Sequence, residues 1–167
     1  DCAQCFFAKD EKKRIAGTVG DVGSWSFENS KHITTGDGGI VTTNNTKFAQ
    51  KMREFSCAGF RNVTASSGKV RIDRNKFQDP NWKRHNSLAY NYRMPEVAAA
   101  IGLAQVERIN FFLSKRIQMG NRFRIIINKR NSDILINQHI PIKFKHSYYT
   151  FPCLFNELKL FRAFIVS

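Results

Sequence analysis

A Gly- and Ser-rich loop between two short β-prone runs is the feature that most constrains the fold. The first run is Ser24–Phe27 (SWSF), and the second is Ile40–Thr43 (IVTT). β-Branched and aromatic residues favour strands, whereas the intervening ENSKHITTGDGG is polar and rich in turn-forming residues. The pattern therefore predicts two strands that hold a loop at both ends. Lys31 lies in this loop, where neighbouring backbone can hold the side chain while leaving its amine accessible.

Helical patterns follow the second run. Asn44, Asn45 and Thr46 supply N-cap chemistry for a helix over Lys47–Phe55. Apolar residues recur in it at helical spacing and are expected to face a core: Phe48, Met52 and Phe55. The polar stretch after Gly59 lacks apolar periodicity and predicts a long surface excursion.

A long helix is predicted from Pro95, because proline is favoured in a first turn. Its apolar residues form one stripe at a 3.6-residue period: Ala99, Leu103, Val106, Leu113 and Ile117. Beyond residue 130 the pattern changes to short β-prone pieces, such as Ile134–Ile136 and Tyr148–Phe151. We expect one region over 1–130 and the start of a second, α+β region over 131–167.

Charge and composition limit the classes of function. The 167 residues suffice for roughly one domain, and 42% of them are hydrophobic. The net charge of +14 favours an anionic partner. However, Lys and Arg are scattered without the aromatic interleaving of an RNA-binding sheet, so nucleic-acid binding is the minor alternative.

The cysteines do not form a typical metal-binding pattern. Cys2 and Cys5 form a CxxC pair, whereas Cys57 and Cys153 are isolated in the sequence. A structural zinc site needs four ligands, usually as two close pairs. We therefore expect reduced, partly buried thiols and no metal.

The sequence carries no targeting or membrane signal. It has no run of about 18 apolar residues and no signal-peptide pattern, so we expect a cytoplasmic protein without a membrane association. The chain starts at Asp1 rather than Met and ends in FRAFIVS without a terminating turn. We expect it to be an excerpt of a longer protein.

Four residues match the chemistry that a pyridoxal phosphate cofactor requires. Such a cofactor needs a lysine for a Schiff base, an acid at the pyridine nitrogen and donors for its phosphate. Lys31 is the candidate lysine, and Asp1 is the candidate acid. Gln4 is placed to bond the ring oxygen, and Ser26, five residues before Lys31, is a candidate phosphate donor.

Three motifs in order resemble the DegT/DnrJ/StrS family of sugar aminotransferases. They are DCAQ, then GTVGDVGSWSFENSKHITTGDGGIVTTN, then YNYRMPEVAAAIGLAQVERI. The resemblance implies an α/β fold: part of the large domain of a fold-type I, aspartate-aminotransferase-like enzyme, followed by the start of an α+β small domain. It also implies that the N-terminal half of such an enzyme is absent.

The resemblance also implies roles for individual residues. It places Asp1 at the pyridine nitrogen, Gln4 at the ring hydroxyl, Ser26 at the phosphate and Lys31 at the covalent attachment. In the family, the Asn of the NYRM motif reaches the cofactor phosphate of the neighbouring subunit.

Asn91 is therefore implied to act in trans in a homodimer, and Arg93 to lie near the phosphates of a nucleotide-sugar substrate. A dehydratase branch has His where this chain has Lys31, so the resemblance implies amino transfer, with glutamate as donor. The alternative is a truncated homologue that binds the cofactor without turnover.

Overall fold

The computed structural model describes residues 1–130, 133–159 and 161–162, without the side chain of residue 68. Its strands and helices follow in chain order: β1 Gly23–Ser26, β2 Gly39–Thr42, α1 Thr46–Ser56, β3 Val63–Thr64, β4 Gly68–Lys69, α2 Arg74–Gln78, α3 Glu96–Glu107, α4 Ile109–Arg130, β5 Leu135–Asn137 and β6 Cys153–Phe155. Within the described part of the chain, the strands form three separate two-stranded antiparallel sheets: β1 with β2, β3 with β4, and β5 with β6.

The predicted pair of strands around the Lys31 loop is confirmed, with each strand beginning one residue earlier than predicted. β1 and β2 pair antiparallel, with Trp25 opposite Ile40 and Ser26 opposite Gly39. Two further backbone bonds extend this pairing: Phe27 N–H donates to the Gly38 carbonyl at 2.8 Å, and Thr35 N–H donates to the Phe27 carbonyl at 3.0 Å. The loop that carries Lys31 is therefore closed at its base.

The helix α1 begins where the capping residues predict. The Asn45 side chain accepts hydrogen bonds from the backbone N–H groups of Lys47 and Phe48 at 2.9 and 3.2 Å. The expectation that its apolar residues face a core is wrong, because α1 buries none of its side chains. Phe48 is 40% exposed, and Phe55 is 48% exposed and packs against two tyrosine rings of the stretch before α3.

The single long helix predicted from Pro95 is wrong, because the chain forms two helices. The backbone leaves the helical conformation at Arg108 (φ −104°, ψ 5°), and α3 and α4 meet at a bend of 59°. α4 buries Ile109 and Leu113, whereas α3 buries none of its residues. A straight apolar stripe therefore does not exist: its α3 members Ala99, Leu103 and Val106 are exposed.

Among the described helices, none is by itself long and apolar enough to cross a membrane. α3 and α4 pass that test of length and composition only when they are taken together as a bent pair.

The region after residue 130 is partly as predicted. The strand expected over Ile134–Ile136 is found at Leu135–Asn137, and it pairs with Cys153–Phe155. The other expected β-prone piece, Tyr148–Phe151, does not form a strand. Tyr148 has φ of +51°, a left-handed backbone that is incompatible with a strand. The expected second region, 131–167, includes residues 131–132, 160 and 163–167, which lie outside the described residues.

The core lies directly beneath the Lys31 loop. It is formed by Phe6, Phe27, Ile33, Ile109 and Leu113, with Trp25, Met94 and Phe112 packed against it. Ile33 has the lowest exposure of these residues, at 1%. Burying such a side chain stabilises the fold by roughly 1.5–3 kcal/mol, so Ile33 anchors the loop two residues after Lys31.

Candidate functional site

The loop holds the Lys31 side chain between core and solvent. The backbone N–H of Lys31 donates to the Glu28 carbonyl at 3.1 Å, and Ile33 fixes the following residues in the core. Lys31 itself is half-buried. The sequence predicts a loop held at both ends, and the structure also holds it from below through Ile33, so the base of the Lys31 side chain has a defined position.

Tyr149 is the polar partner of the Lys31 amine. Lys31 Nζ donates to Tyr149 Oη at 3.5 Å and lies 4.7 Å from the centroid of the tyrosine ring. No carboxylate within the described residues forms an ion pair with Lys31. A half-buried amine with one long hydrogen bond is more available to form a covalent bond than a surface lysine that is held in an ion pair.

His32 ties the loop to the later part of the chain. Its ring Nε2 lies 2.9 Å from the Ser147 carbonyl oxygen, which only accepts, so Nε2 carries the proton that is donated. Burial lowers the pKa of His32, with Arg116 and His146 acting in the same direction and the bond to Ser147 opposing them. The ring is therefore neutral at neutral pH, and its buried Nδ1 has no hydrogen-bond partner within the described chain.

The first residues of the chain lie beside β1. Cys2 N–H donates to the Ser24 carbonyl at 2.8 Å, and the Phe6 ring packs against the rings of Phe27 and His32 at centroid distances of 6.0 and 6.2 Å. Two predicted site residues stand on this segment with exposed side chains: Asp1 and Gln4. Among the described residues, the partner of the Asp1 carboxylate is the Ala3 N–H of its own turn, at 2.9 Å.

Ser26 is the last residue of β1, directly before the core residue Phe27. Its half-buried hydroxyl accepts a hydrogen bond from the Glu28 N–H at 3.2 Å, and within the described part of the chain the hydroxyl hydrogen remains available to donate. The structure thus brings the Asp1 segment, Ser26 and the Lys31 loop to one core through Phe6, Phe27 and Ile33.

Asn91 and Arg93 form a second group. Arg93 Nε donates to Asn91 Oδ1 at 2.8 Å, and both residues are exposed. Arg93 lines an open cleft of about 1250 Å³ between β2, α1 and the start of α3, and Lys31 is not among the residues that line it. The described contacts therefore leave this pair apart from Lys31, so the trans role of Asn91 and the substrate role of Arg93 stay predictions.

The four residues predicted to hold a pyridoxal phosphate group, Lys31, Asp1, Gln4 and Ser26, fit that group in chemical type. They supply an amine without an ion pair, an exposed carboxylate (Asp1), an exposed amide (Gln4) and a hydroxyl with a free hydrogen (Ser26). These are the functional groups that a Schiff-base cofactor with a pyridine nitrogen and a phosphate requires. Across the described ranges, no cluster of three or more His, Cys, Asp or Glu residues could hold a metal ion.

Sequence reasoning missed Tyr149, the neighbour of Lys31 that comes from the second region, and Arg116 of α4, which bonds Tyr149. Tyr149 is 118 positions away in sequence, and Arg116 donates from Nη1 to the Tyr149 carbonyl at 3.3 Å. Tyr149 lies in the segment HSYYTF (residues 146–151), for which the sequence predicts only a β-prone piece over Tyr148–Phe151. No periodicity or spacing connects that segment with the loop, because tertiary packing creates the contact.

Comparison with known proteins decides the family. The model of the DegT/DnrJ/EryC1/StrS aminotransferase family matches residues 1–166. The chain belongs to this family. This confirms the resemblance carried by the three motifs, and the family is consistent with the predicted pyridoxal phosphate cofactor.

Three relatives illustrate the match. The chain is 33% identical over 150 residues to the GDP-perosamine synthase of Escherichia coli O157:H7, covering 89% of this chain and 35% of that protein. Helicobacter pylori PseC, an aminotransferase involved in the biosynthesis of pseudoaminic acid, superimposes with a TM-score of 0.78 and 23% identity, covering 99% of this chain and 40% of that chain. The E. coli GDP-4-keto-6-deoxy-D-mannose-3-dehydratase with bound hydrated PLP gives a TM-score of 0.74 and 21% identity, covering 95% and 39%.

The solved structures confirm the predicted fold class, part of a fold-type I α/β enzyme. The chain spans about two fifths of the length of these relatives. Because the dehydratase and the aminotransferase share the fold, the fold alone does not select the reaction.

Proposed function

We propose that this chain is part of an aminotransferase that moves an amino group from glutamate to a keto group of a nucleotide-linked deoxy sugar. The similarity to a GDP-perosamine synthase supports the nucleotide-sugar class. A lysine at position 31, where the dehydratase branch has histidine, favours amino transfer over dehydration.

The observation that carries the proposal is the state of the Lys31 amine. The amine is half-buried at the rim of the core, its loop is closed by strand pairing, and its one polar partner in the described structure is a phenol. An amine held in this way can attach a carbonyl carbon. It can also accept a proton once it is released, as transamination requires of one residue.

When bound, pyridoxal phosphate supplies an electron sink for the carbanion that forms at an amino-acid Cα. Asp1 would hold the pyridine nitrogen protonated, since a nearby carboxylate favours a cationic ring. Ser26 would donate its free hydroxyl hydrogen to the phosphate, and Gln4 would bond the ring hydroxyl. Lys31 Nζ would form the covalent attachment and, once free, take the proton from the donor's Cα.

The partners of the whole protein follow from the same proposal. A homodimer would allow Asn91 to reach the phosphate of the cofactor in the neighbouring subunit. Arg93 is exposed at the rim of a cleft, where its guanidinium can pair with the diphosphate of a nucleotide sugar. We place the protein in the cytoplasm without a membrane partner.

The half-reaction with glutamate tests this proposal in the whole natural protein. The protein is loaded with pyridoxal phosphate and mixed with glutamate, and α-ketoglutarate release is followed together with the cofactor's absorbance. Lys31→Ala should lose the reaction, by a factor of about 10² or more, because both attachment and proton transfer depend on that amine. Lys51→Ala is the matched control, since Lys51 is exposed on α1.

The second half-reaction is then offered a panel of nucleotide-linked keto sugars, with amino-sugar formation read by mass spectrometry. Wild-type activity that survives in Lys31→Ala would refute the assignment. A wild-type protein that binds the cofactor without releasing α-ketoglutarate would instead support the alternative, a cofactor-binding homologue without turnover.

A further inference from the structure

A chain of hydrogen bonds runs from the Lys31 amine to a carboxylate. Lys31 Nζ lies 3.5 Å from Tyr149 Oη, and Tyr149 Oη lies 2.8 Å from Ser30 Oγ. Ser30 Oγ lies 2.6 Å from Glu28 Oε2, which also accepts the Ser30 N–H at 3.0 Å. Three of these residues come from the loop, and Tyr149 comes from the segment before β6.

The two hydroxyl groups in this series of hydrogen bonds both donate towards Glu28. The hydrogen bonds from Ser30 lower the pKa of Glu28, so Glu28 is an ionised carboxylate that only accepts. Ser30 gives its hydroxyl hydrogen to Glu28, and its oxygen is then free to accept from the Tyr149 hydroxyl. The remaining lone pair of Tyr149 Oη faces Lys31 Nζ. The phenol is therefore oriented as an acceptor for the lysine amine.

The tyrosine is also held from sides that do not involve Lys31. Its carbonyl accepts from Arg116 Nη1 at 3.3 Å, and its ring lies 5.9 Å from the ring of His32. Lys31 Nζ lies 4.7 Å from the ring centroid, within the range of a cation–π interaction. Tyr149 is thus placed before the amine arrives, and it offers both an acceptor atom and an aromatic face.

We propose that Tyr149 is a positioning residue for Lys31. Tyr149 binds the Lys31 amine whenever that amine is not attached to the cofactor, and so holds it within reach of the reaction site. This inference rests on the proposed function. It adds a residue from the second region of the chain to the Lys31 site, and it gives the Glu28–Ser30 pair a role, namely to orient the phenol.

The first test uses the cofactor-free whole natural protein and is independent of activity. Isotope-labelled tyrosine is titrated by NMR, and the Tyr149 signal is assigned by its loss in Tyr149→Phe. The hydrogen bond with Ser30 lowers the pKa of Tyr149 most, and the hydrogen bond and charge of Lys31 lower it further. Burial and the charge of Glu28 raise it, but by less. In the phenolate form, Ser30 can turn its hydroxyl to donate to Tyr149, while its N–H stays on Glu28.

Among the described residues, three charged or titratable groups contact Tyr149, namely Lys31, Arg116 and His32. Glu28 acts on it through its charge. We expect Lys31→Met to raise the pKa of Tyr149, because this variant removes both the hydrogen bond and the positive charge of Lys31. A Tyr149 titration that is the same in Lys31→Met as in the wild type would overturn the inference.

The second test is kinetic and uses the loaded enzyme. We expect Tyr149→Phe to keep the aromatic face but lose the acceptor, and therefore to lower kcat about tenfold while changing the KM for the amino donor less than about twofold. Tyr148→Phe, the matched control, should change neither. An unchanged kcat in Tyr149→Phe, or a rise in KM alone, would overturn the inference.

The two proposals fail separately. If the wild-type protein does not attach the cofactor at Lys31, the proposed function fails whatever the tyrosine titration shows. If Lys31 attaches the cofactor and Lys31→Ala is inactive, but Tyr149→Phe behaves as the wild type, only the role of Tyr149 is refuted.

Discussion

Gly120 allows the segment that carries Tyr149 to dock on α4. It is buried within that helix, and a Cβ added to it would lie 2.5 Å from two ring carbons of Tyr148 and 2.7 Å from a third. Tyr148 is itself 8% exposed, so its ring cannot simply rotate into solvent. Gly120→Ala should therefore push the HSYYTF segment away from α4 and disturb the neighbouring Tyr149.

The expected magnitude is the difference of two effects. Replacing a helical glycine with alanine stabilises a helix by about 1 kcal/mol. Overpacking a buried site costs about 1–3 kcal/mol. The difference of the two ranges is a loss of about 0–2 kcal/mol in the free energy of unfolding. Because the added atom meets three atoms of a buried ring, we expect the upper half of that range, about 1–2 kcal/mol. Urea unfolding of the whole natural protein measures it.

Gly102→Ala is the matched control, since Gly102 lies within α3 and its added Cβ would meet only the Thr35 methyl, at 3.0 Å. This variant should unfold within about 0.5 kcal/mol of the wild type, because the gain in helix propensity offsets one tight contact. In a Tyr148→Leu background, Gly120→Ala should become neutral or stabilising. The reasoning is refuted if Gly120→Ala alone is as stable as the wild type.

Two further predictions concern stability. Burial lowers the pKa of His32 in the folded protein, so the unfolded chain binds the proton more tightly. The contribution of the neutral His32 ring to the free energy of unfolding is therefore fully present above pH 6.5 and is lost as the pH falls towards the folded-state pKa. His32→Gln should flatten that part of a pH–stability profile measured by urea unfolding, and a profile as steep as that of the wild type would contradict this. Asn45→Ala should cost about 1 kcal/mol in urea unfolding by removing the cap of α1. Asn44→Ala should cost little, and equal losses in the two variants would contradict the capping argument.

The local features of the fold were predictable from sequence because short-range chemistry determines them. The strand pair around Lys31 follows from β-branched and aromatic runs beside turn residues, and the start of α1 follows from Asn45. The periodicity of the stretch after Pro95 correctly predicts helix, but no sequence signal marks the bend at Arg108, which has neither proline nor glycine.

Burial was less predictable than secondary structure. Helical spacing shows which side chains share a face, but it does not show whether another element covers that face. Phe48 and Leu103 follow the expected spacing and are exposed, whereas Ile33 lies in a polar loop and is almost fully buried. The neighbours of a segment decide these outcomes, and the neighbours are set by tertiary packing.

The candidate site divides in the same way. Lys31, Asp1, Gln4 and Ser26 were predicted from residue types that match one cofactor, and the structure gathers their segments at one core. Tyr149 was not predicted, because its contact with Lys31 spans 118 positions and depends on how α4 and the HSYYTF segment pack.

The covalent attachment of the cofactor tests the central claim most directly. The whole natural protein is mixed with pyridoxal phosphate and reduced with borohydride, and peptide mass spectrometry locates the phosphopyridoxyl group. We predict one dominant adduct, on Lys31, which disappears in Lys31→Ala and persists in Lys51→Ala. An adduct spread over exposed lysines, or a dominant adduct on a lysine other than Lys31, would contradict the account.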